Sequence, residues 1–139
     1  MQDRNGSRDD VGLMYGTAWK TDRTRSLVLE ALGAGFRAFD TAAQAKHYRE
    51  SDVGEVIREA LTYGQIKRSD LTIQTKFTWA SGQCPGTEPY DVNAPIREQV
   101  RQSLRQSLSN LRHTEAAFVP EDLDGIDQVP GDVILYVIA

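Results

Sequence analysis

The chain has one cysteine, Cys84, only two histidines, and no long apolar run. A single thiol excludes an internal disulfide, so packing must hold the fold, and a reducing compartment is expected. Cys84 stands in GQCPG, where an ordinary loop thiol is its expected role. His47, His113 and Cys84 are too scattered along the chain to make a metal site, and none is expected. No stretch approaches the roughly 20 apolar residues of a membrane helix. The polar start, MQDRNGSRDD, lacks the apolar core of a secretory signal. A cytoplasmic protein with no membrane partner is therefore expected. A net charge of −4 over 139 residues offers no basic surface, so nucleic acid is not an expected partner. The phosphate-loop pattern GxxxxGK, the patterns GxGxxG and HExxH, and the nucleophile turn GxSxG are all missing.

What is present reads as one soluble domain, with 40% hydrophobic and 26% charged residues. Three strand-then-helix units follow one another. Val11 to Tyr15 is a short apolar run ended by Gly16, and Thr21 or Asp22 then caps a helix reaching about Ala34. Leu27, Val28, Ala31 and Leu32 form its apolar face, with Gly33 and Gly35 to end it. Phe36 to Asp40 is the second strand. Ser51 is the expected cap of the next helix, where Val53, Val56, Ile57, Ala60 and Leu61 recur at helical spacing before Gly64. Asp70 to Thr75 opens the third unit, and a Gly- and Pro-rich loop, Ser81 to Asn93, follows it. Pro95 then sits in the first turn of a helix whose Ile96, Val100, Leu104, Leu108 and Leu111 form a stripe. Arg97, Arg101 and Arg105 lie on one side of it and read as a solvated face. Alternating strands and helices imply parallel pairing, in either a doubly wound sheet or a (β/α) barrel.

After Arg112 the composition changes. No Lys or Arg occurs there, while Glu115, Glu121, Asp122, Asp124, Asp127 and Asp132 do, before an apolar end from Val133 to Ala139. The expected organisation is a βα-repeat portion over 11–113 and a divergent acidic tail over 114–139.

In parallel α/β folds, functional residues gather at the carboxyl ends of strands. Asp40 ends the second expected strand, Lys76 ends the third, and Tyr48 stands on the loop between them. Each alone has an ordinary structural role: a turn cap, a surface lysine, a packed ring. Together they match the needs of a proton donor. A free tyrosine is too weak an acid at neutral pH, with a pKa near 10. An ammonium beside it favours the phenolate, and a carboxylate holds that ammonium in place.

The chain resembles the aldo-keto reductases, in particular a fungal-type branch. The matching motifs are YGTAWK at Tyr15 to Lys20, AGFRAFDTA at Ala34 to Ala42, KHYRE at Lys46 to Glu50 and VGE at Val53 to Glu55. IQTKFT at Ile73 to Thr78 and QVRQSLRQSLSNLR at Gln99 to Arg112 complete the set, in the family's order. The resemblance implies an α/β fold that is part of a (β/α)8 TIM barrel: about three N-terminal βα units plus an atypical C-terminal tail. It also implies reduction of a small carbonyl substrate with NADPH. By matching motif, Asp40, Tyr48 and Lys76 would be three of the family's four catalytic residues. Gly16, Thr17, Ala18 and Asp40 would lie at the cofactor, and Trp19 would border the substrate. In many members the tyrosine comes five residues after the aspartate, a place held here by Ala45; the KHYRE motif assigns Tyr48 instead.

The family continues after this point with a strand leading to a catalytic histidine, where this chain reads HTEAAFVPEDLDGIDQVPG. His113 precedes that point and is not assigned to catalysis. A (β/α)8 barrel takes about 250 residues, so weak or absent activity is expected of this chain. Open barrel edges also predict self-association. The alternatives are a reductase reading frame cut short, an enzyme completed by another chain, and a non-catalytic remnant or interaction protein on the same scaffold.

Overall fold

The computed structural model of the chain describes residues 12–112 and the strand 133–137. The elements alternate as β1 (Met14–Gly16), α1 (Thr24–Gly33), β2 (Ala38–Asp40), α2 (Glu50–Thr62), β3 (Thr72–Phe77), α3 (Ile96–Leu111) and β4 (Val133–Val137). The strands lie side by side in chain order, and every pairing is parallel. A doubly wound sheet reverses its strand order at a switch point. No reversal occurs among these four strands, and the arrangement is that of part of an α/β barrel. The apolar end of the sequence supplies β4; Val11, His113 and the acidic run from Glu115 to Asp132 lie outside the described residues. Among the described residues, no helix is long and apolar enough to cross a membrane.

One face of the sheet is covered by helices. Phe39 and Ile73 point to that side and pack with Val28, Ala31 and Leu32 of α1 and Val53, Val56, Ile57 and Ala60 of α2. Each such fully buried Val, Ile or Phe contributes about 1.5–3 kcal/mol of transfer free energy. Side chains alternate along a strand, so Asp40, Gln74 and Lys76 project from the opposite face. That alternation separates the core from the site.

Both α1 and α2 end as the glycine pattern predicts. Gly35 and Gly64 have φ of +98° and +68°. The amides of Phe36 and Gln65 reach back to Ala31 and Ala60, closing a hydrogen-bonded cap at each C-terminus. Helix starts were harder to read. A 3-10 turn at Thr21–Arg23 precedes α1, so neither Thr21 nor Asp22 caps the α-helix itself. Ser51 lies inside α2 rather than capping it, because the helix begins one residue earlier at Glu50. There the buried carboxyl of Glu50 accepts hydrogen bonds from Thr75 and Asn110.

Strand boundaries also shift toward the C-terminus. β1 runs to Gly16 rather than stopping at Tyr15, and β3 is Thr72–Phe77, not Asp70 to Thr75. Asp70 belongs to a 3-10 turn at Arg68–Asp70, where its carboxylate accepts the Lys67 amide. Pro95 is the residue before α3, with its carbonyl accepting the Glu98 and Gln99 amides. The buried face of α3 is Ser103, Leu104, Ser107 and Leu111, while Ile96 is exposed. Leu104 and Leu111 of the expected stripe are buried, joined by the small Ser103 and Ser107, and α3 comes close to α2 where Gly54 faces the Asn110 carbonyl. Arg97 is exposed as expected of a solvated face, whereas Arg101 and Arg105 are half-buried.

Candidate active site

The register of the sheet places the site. Gly16 is opposite Asp40, and Asp40 is opposite Gln74. Lys76 stands two residues beyond Gln74 on the same strand face. Past Asp40 the chain keeps running beside β3, with the Thr41 amide donating to Gln74 and the Ala43 amide to the carbonyl of Lys76. Lys76 is thereby brought back onto Asp40. Its ammonium forms an ion pair with the Asp40 carboxylate and also donates to the Thr41 carbonyl at 2.9 Å. The two side chains are only 10% and 19% exposed, so this pair is largely withdrawn from water.

Tyr48 is the third member. His47 and Tyr48 both donate their amides to the Gln44 carbonyl, a turn that folds the loop back over β3. The Lys76 ammonium then lies 5.1 Å from the centroid of the Tyr48 ring, a cation–π distance. Ala45, at the shorter family spacing, is exposed. The structure thus brings Asp40, Tyr48 and Lys76 together, and Lys76 meets Tyr48 through the ring face.

The residues expected around a cofactor are placed less uniformly. Gly16 ends β1 beside Asp40, and a Cβ there would meet nothing within 4 Å, leaving room for a flat group. Thr17 is fully buried, with its amide and its hydroxyl both donating to the Asp40 carbonyl, at 3.0 and 2.8 Å. These two bonds brace the strand end that carries Asp40. Ala18 is half-buried, and Trp19 is 70% exposed. Trp19 and Thr21 adopt φ of 62° and 50°. Strain of that kind costs on the order of 1–3 kcal/mol per residue and collects at functional loops.

Two residues of the site escaped the sequence reading. Gln74 donates its amide to the same Asp40 oxygen that Lys76 holds, at 2.7 Å. The signal for it was present in IQTKF, since residues two apart on a strand share a face. Glu50 lies at the start of α2 and is 6% exposed. Burial pushes its carboxyl above the usual range, while the donors Thr75 and Asn110 and the charge of Lys76 pull the other way. No local pattern marks a glutamate for burial; its partners lie 25 and 60 residues away.

Beside Tyr48, on the helix side, is a cavity of about 270 Å³ lined by Ala43, Tyr48, Glu50, Thr87, Gln106 and Asn110. The loop forming its far wall is tied down by side-chain amides. Gln44 donates to the Gly82 carbonyl and Gln83 to that of Ala43, each at 2.7 Å. Phe77, Trp79 and Tyr90 pack beneath that loop, and the Tyr90 hydroxyl donates to Thr78 at 2.6 Å.

The arrangement has counterparts among known proteins. The model of the aldo/keto reductase family matches residues 11–117. NADP-dependent D-sorbitol-6-phosphate dehydrogenase of Malus domestica is 44% identical over 61 residues, which cover 43% of this chain and 18% of that protein. D-galacturonate reductase of Fragaria ananassa is 39% identical over 92 residues, covering 66% of this chain and 24% of that one. Among solved structures, a Bombyx mori aldo-keto reductase in complex with NADP superposes with a TM-score of 0.53 at 29% identity. That match covers 71% of this chain and 30% of the silkworm protein. The aldose reductase of Schistosoma japonicum gives 0.52 at 28% identity, over 71% of this chain and 28% of that one. The chain therefore spans less than a third of the length of each of these four relatives. With a family match running from the first strand through α3, and the parallel βα architecture that goes with it, this chain belongs to the aldo/keto reductase family.

Proposed function

We propose that the chain supplies Asp40, Tyr48 and Lys76 to an NADPH-dependent carbonyl-reducing site, with Tyr48 as general acid. The observation that supports this most directly is the Asp40–Lys76 ion pair on the open sheet face, with the Tyr48 ring against the same ammonium. Bound NADPH supplies the hydride to the carbonyl carbon. Tyr48 supplies the proton to the carbonyl oxygen, and Lys76 compensates the negative charge left on the phenolic oxygen. Asp40, fixed by Gln74 and through its carbonyl by Thr17, keeps Lys76 in place. Gly16, Thr17, Ala18 and Asp40 would border the nicotinamide end, with Thr17 also holding the Asp40 backbone. The open space at Gly16 fits a flat ring there.

In this reading residues 11–113 are the reductase portion, 114–139 are a divergent tail, and the substrate is a small cytoplasmic aldehyde or ketone. Activity of the chain by itself is weak. Among the described residues the sheet has four strands and an unpaired edge on β1 and on β4, which leaves one side of the site unwalled. The same edges are the surfaces through which copies of the chain would associate.

The test is NADPH binding by fluorescence together with NADPH oxidation in the presence of a small aldehyde. Binding and slow oxidation are expected. Tyr48→Phe should retain the binding and lower oxidation about 100-fold or more, the scale of a lost general acid. Oxidation that survives Tyr48→Phe would overturn the assignment. A chain that neither binds nor oxidises NADPH would leave the non-catalytic interaction protein as the better account.

A further inference from the structure

The loop between β1 and α1 is held in a shape that its own residues resist. Trp19 and Thr21 lie in the left-handed region, where a β-branched threonine is a true outlier. Such conformations persist only where surrounding contacts over-determine them. On one side the clamp is Thr17, bonded twice to the Asp40 carbonyl. On the other side it is His47. The Trp19 amide donates to the His47 carbonyl at 2.8 Å. The indole and imidazole ring centroids are 3.7 Å apart, with an interplanar angle of 38°. The Nδ1 atom of His47 is buried and has no hydrogen-bond partner among the described residues. That nitrogen does nothing to orient the imidazole, whereas the indole lies directly on the ring.

We infer that His47 is a positioning residue whose imidazole is the plate on which Trp19 stacks. The stack fixes the strained loop beside Tyr48, the next residue in the chain. With the indole 70% exposed, its free face presents a flat apolar wall on the loop held beside Tyr48. That wall suits planar conjugated or aromatic carbonyl compounds over small saturated ones. The substrate preference rests on the reductase reading; the stack does not.

The experiment begins with proton NMR of the full chain. The His47 ring protons, assigned by their loss in His47→Phe, are expected to be shifted upfield by the indole ring current and to move back in Trp19→Ala. Unshifted His47 protons in the parent chain would overturn the inference. Acrylamide quenching in a Trp79→Phe background then reports Trp19 alone. His47→Ala should raise the released fraction of the loop about 2- to 12-fold, the population equivalent of losing one aromatic pair. His47→Phe, which keeps a ring, should restore the original quenching; equal quenching in all three proteins would also overturn the inference. In turnover, His47→Ala is expected to raise KM for an aromatic aldehyde and leave kcat near its starting value. A shifted His47 spectrum without NADPH oxidation would defeat the reductase reading alone. An absent stack would defeat this inference whatever the activity.

Discussion

Gly54 is where α2 meets α3 most closely, and one added methyl group there measures how tightly the two helices are fitted. A Cβ at Gly54 would stand 1.9 Å from the carbonyl oxygen of Asn110 and 2.9 Å from its carbonyl carbon. Favourable non-bonded carbon contacts lie at about 3.5–4.0 Å, so the last turn of α3 must withdraw by roughly 1.5 Å. The obstacle is backbone and cannot swing aside. The same carbonyl accepts a hydrogen bond from Arg58 at 3.0 Å, and the Asn110 side chain donates to Glu50 at 3.0 Å. Withdrawal strains both. Overpacking of this kind costs about 1–3 kcal/mol. Replacing a mid-helix glycine by alanine returns about 1 kcal/mol, while weakening a hydrogen bond to a charged group costs about 1.5–3 kcal/mol. Gly54→Ala should therefore lose about 1.5–5 kcal/mol, a fall in Tm of roughly 6–20 °C for a domain of this size. Gly33→Ala is the control, because a Cβ there meets nothing within 4 Å. It should be neutral or gain up to about 1 kcal/mol. Urea unfolding followed by circular dichroism reads both. A Gly54→Ala midpoint at or above that of the parent chain would refute the close fit of α2 on α3.

Glu50→Gln keeps the shape of the buried carboxyl and removes its charge. Burial raises the Glu50 carboxyl above its ordinary range in the folded chain, against the opposing pull of Thr75, Asn110 and Lys76. The folded state thus holds the proton more tightly than the unfolded chain. The associated stability is full below the unfolded value, about pH 4.3, and is lost as pH rises through the raised folded value. Unfolding midpoints should decline over that window in the parent chain and stay flatter in Glu50→Gln; parallel profiles would contradict the assignment. Lys76→Met leaves the largely buried Asp40 carboxylate without its cation and should cost about 3 kcal/mol. An unchanged midpoint would mean that the pair is open to water in solution.

The sequence made the units of the fold legible because each is marked locally. Gly35 and Gly64 announce two helix ends, and the period of Val53, Val56, Ile57 and Ala60 announces a buried helix face. That Asp40, Tyr48 and Lys76 come together was legible from two strand ends and, for Tyr48, from the KHYRE motif. Thr17 is expected at the cofactor, and what the sequence did not show is that its hydroxyl donates to the Asp40 carbonyl. That bond depends on the register between β1 and β2, which no single segment encodes. The buried face of α3 was legible only in part. Leu104 and Leu111 of the expected stripe are buried and Ile96 is exposed, while the buried Ser103 and Ser107 carry no aliphatic mark in the sequence. Glu50 was invisible because only its distant partners make burial tolerable.

The placement of Glu50 explains how a loop can hold a tyrosine in register with a lysine. Thr75 and Lys76 are neighbours on β3 and point to opposite faces of the sheet. Lys76 is gripped on the open face by Asp40 and by the Thr41 carbonyl, where the loop begins. Thr75 is gripped on the helix face by Glu50, where the loop ends and α2 starts. The segment from Thr41 to Arg49 therefore straddles β3 and is fastened to adjacent residues on both sides of it. Tyr48, two residues before the helix that carries the second fastening, has little freedom to leave Lys76 unless one end releases. Such a bracket needs two carboxyl groups in different surroundings: Asp40 ion-paired to Lys76, and Glu50 enclosed among hydrogen-bond donors. The two fastenings meet at adjacent residues of β3, so each limits the loop that carries Tyr48 from its own face of the strand.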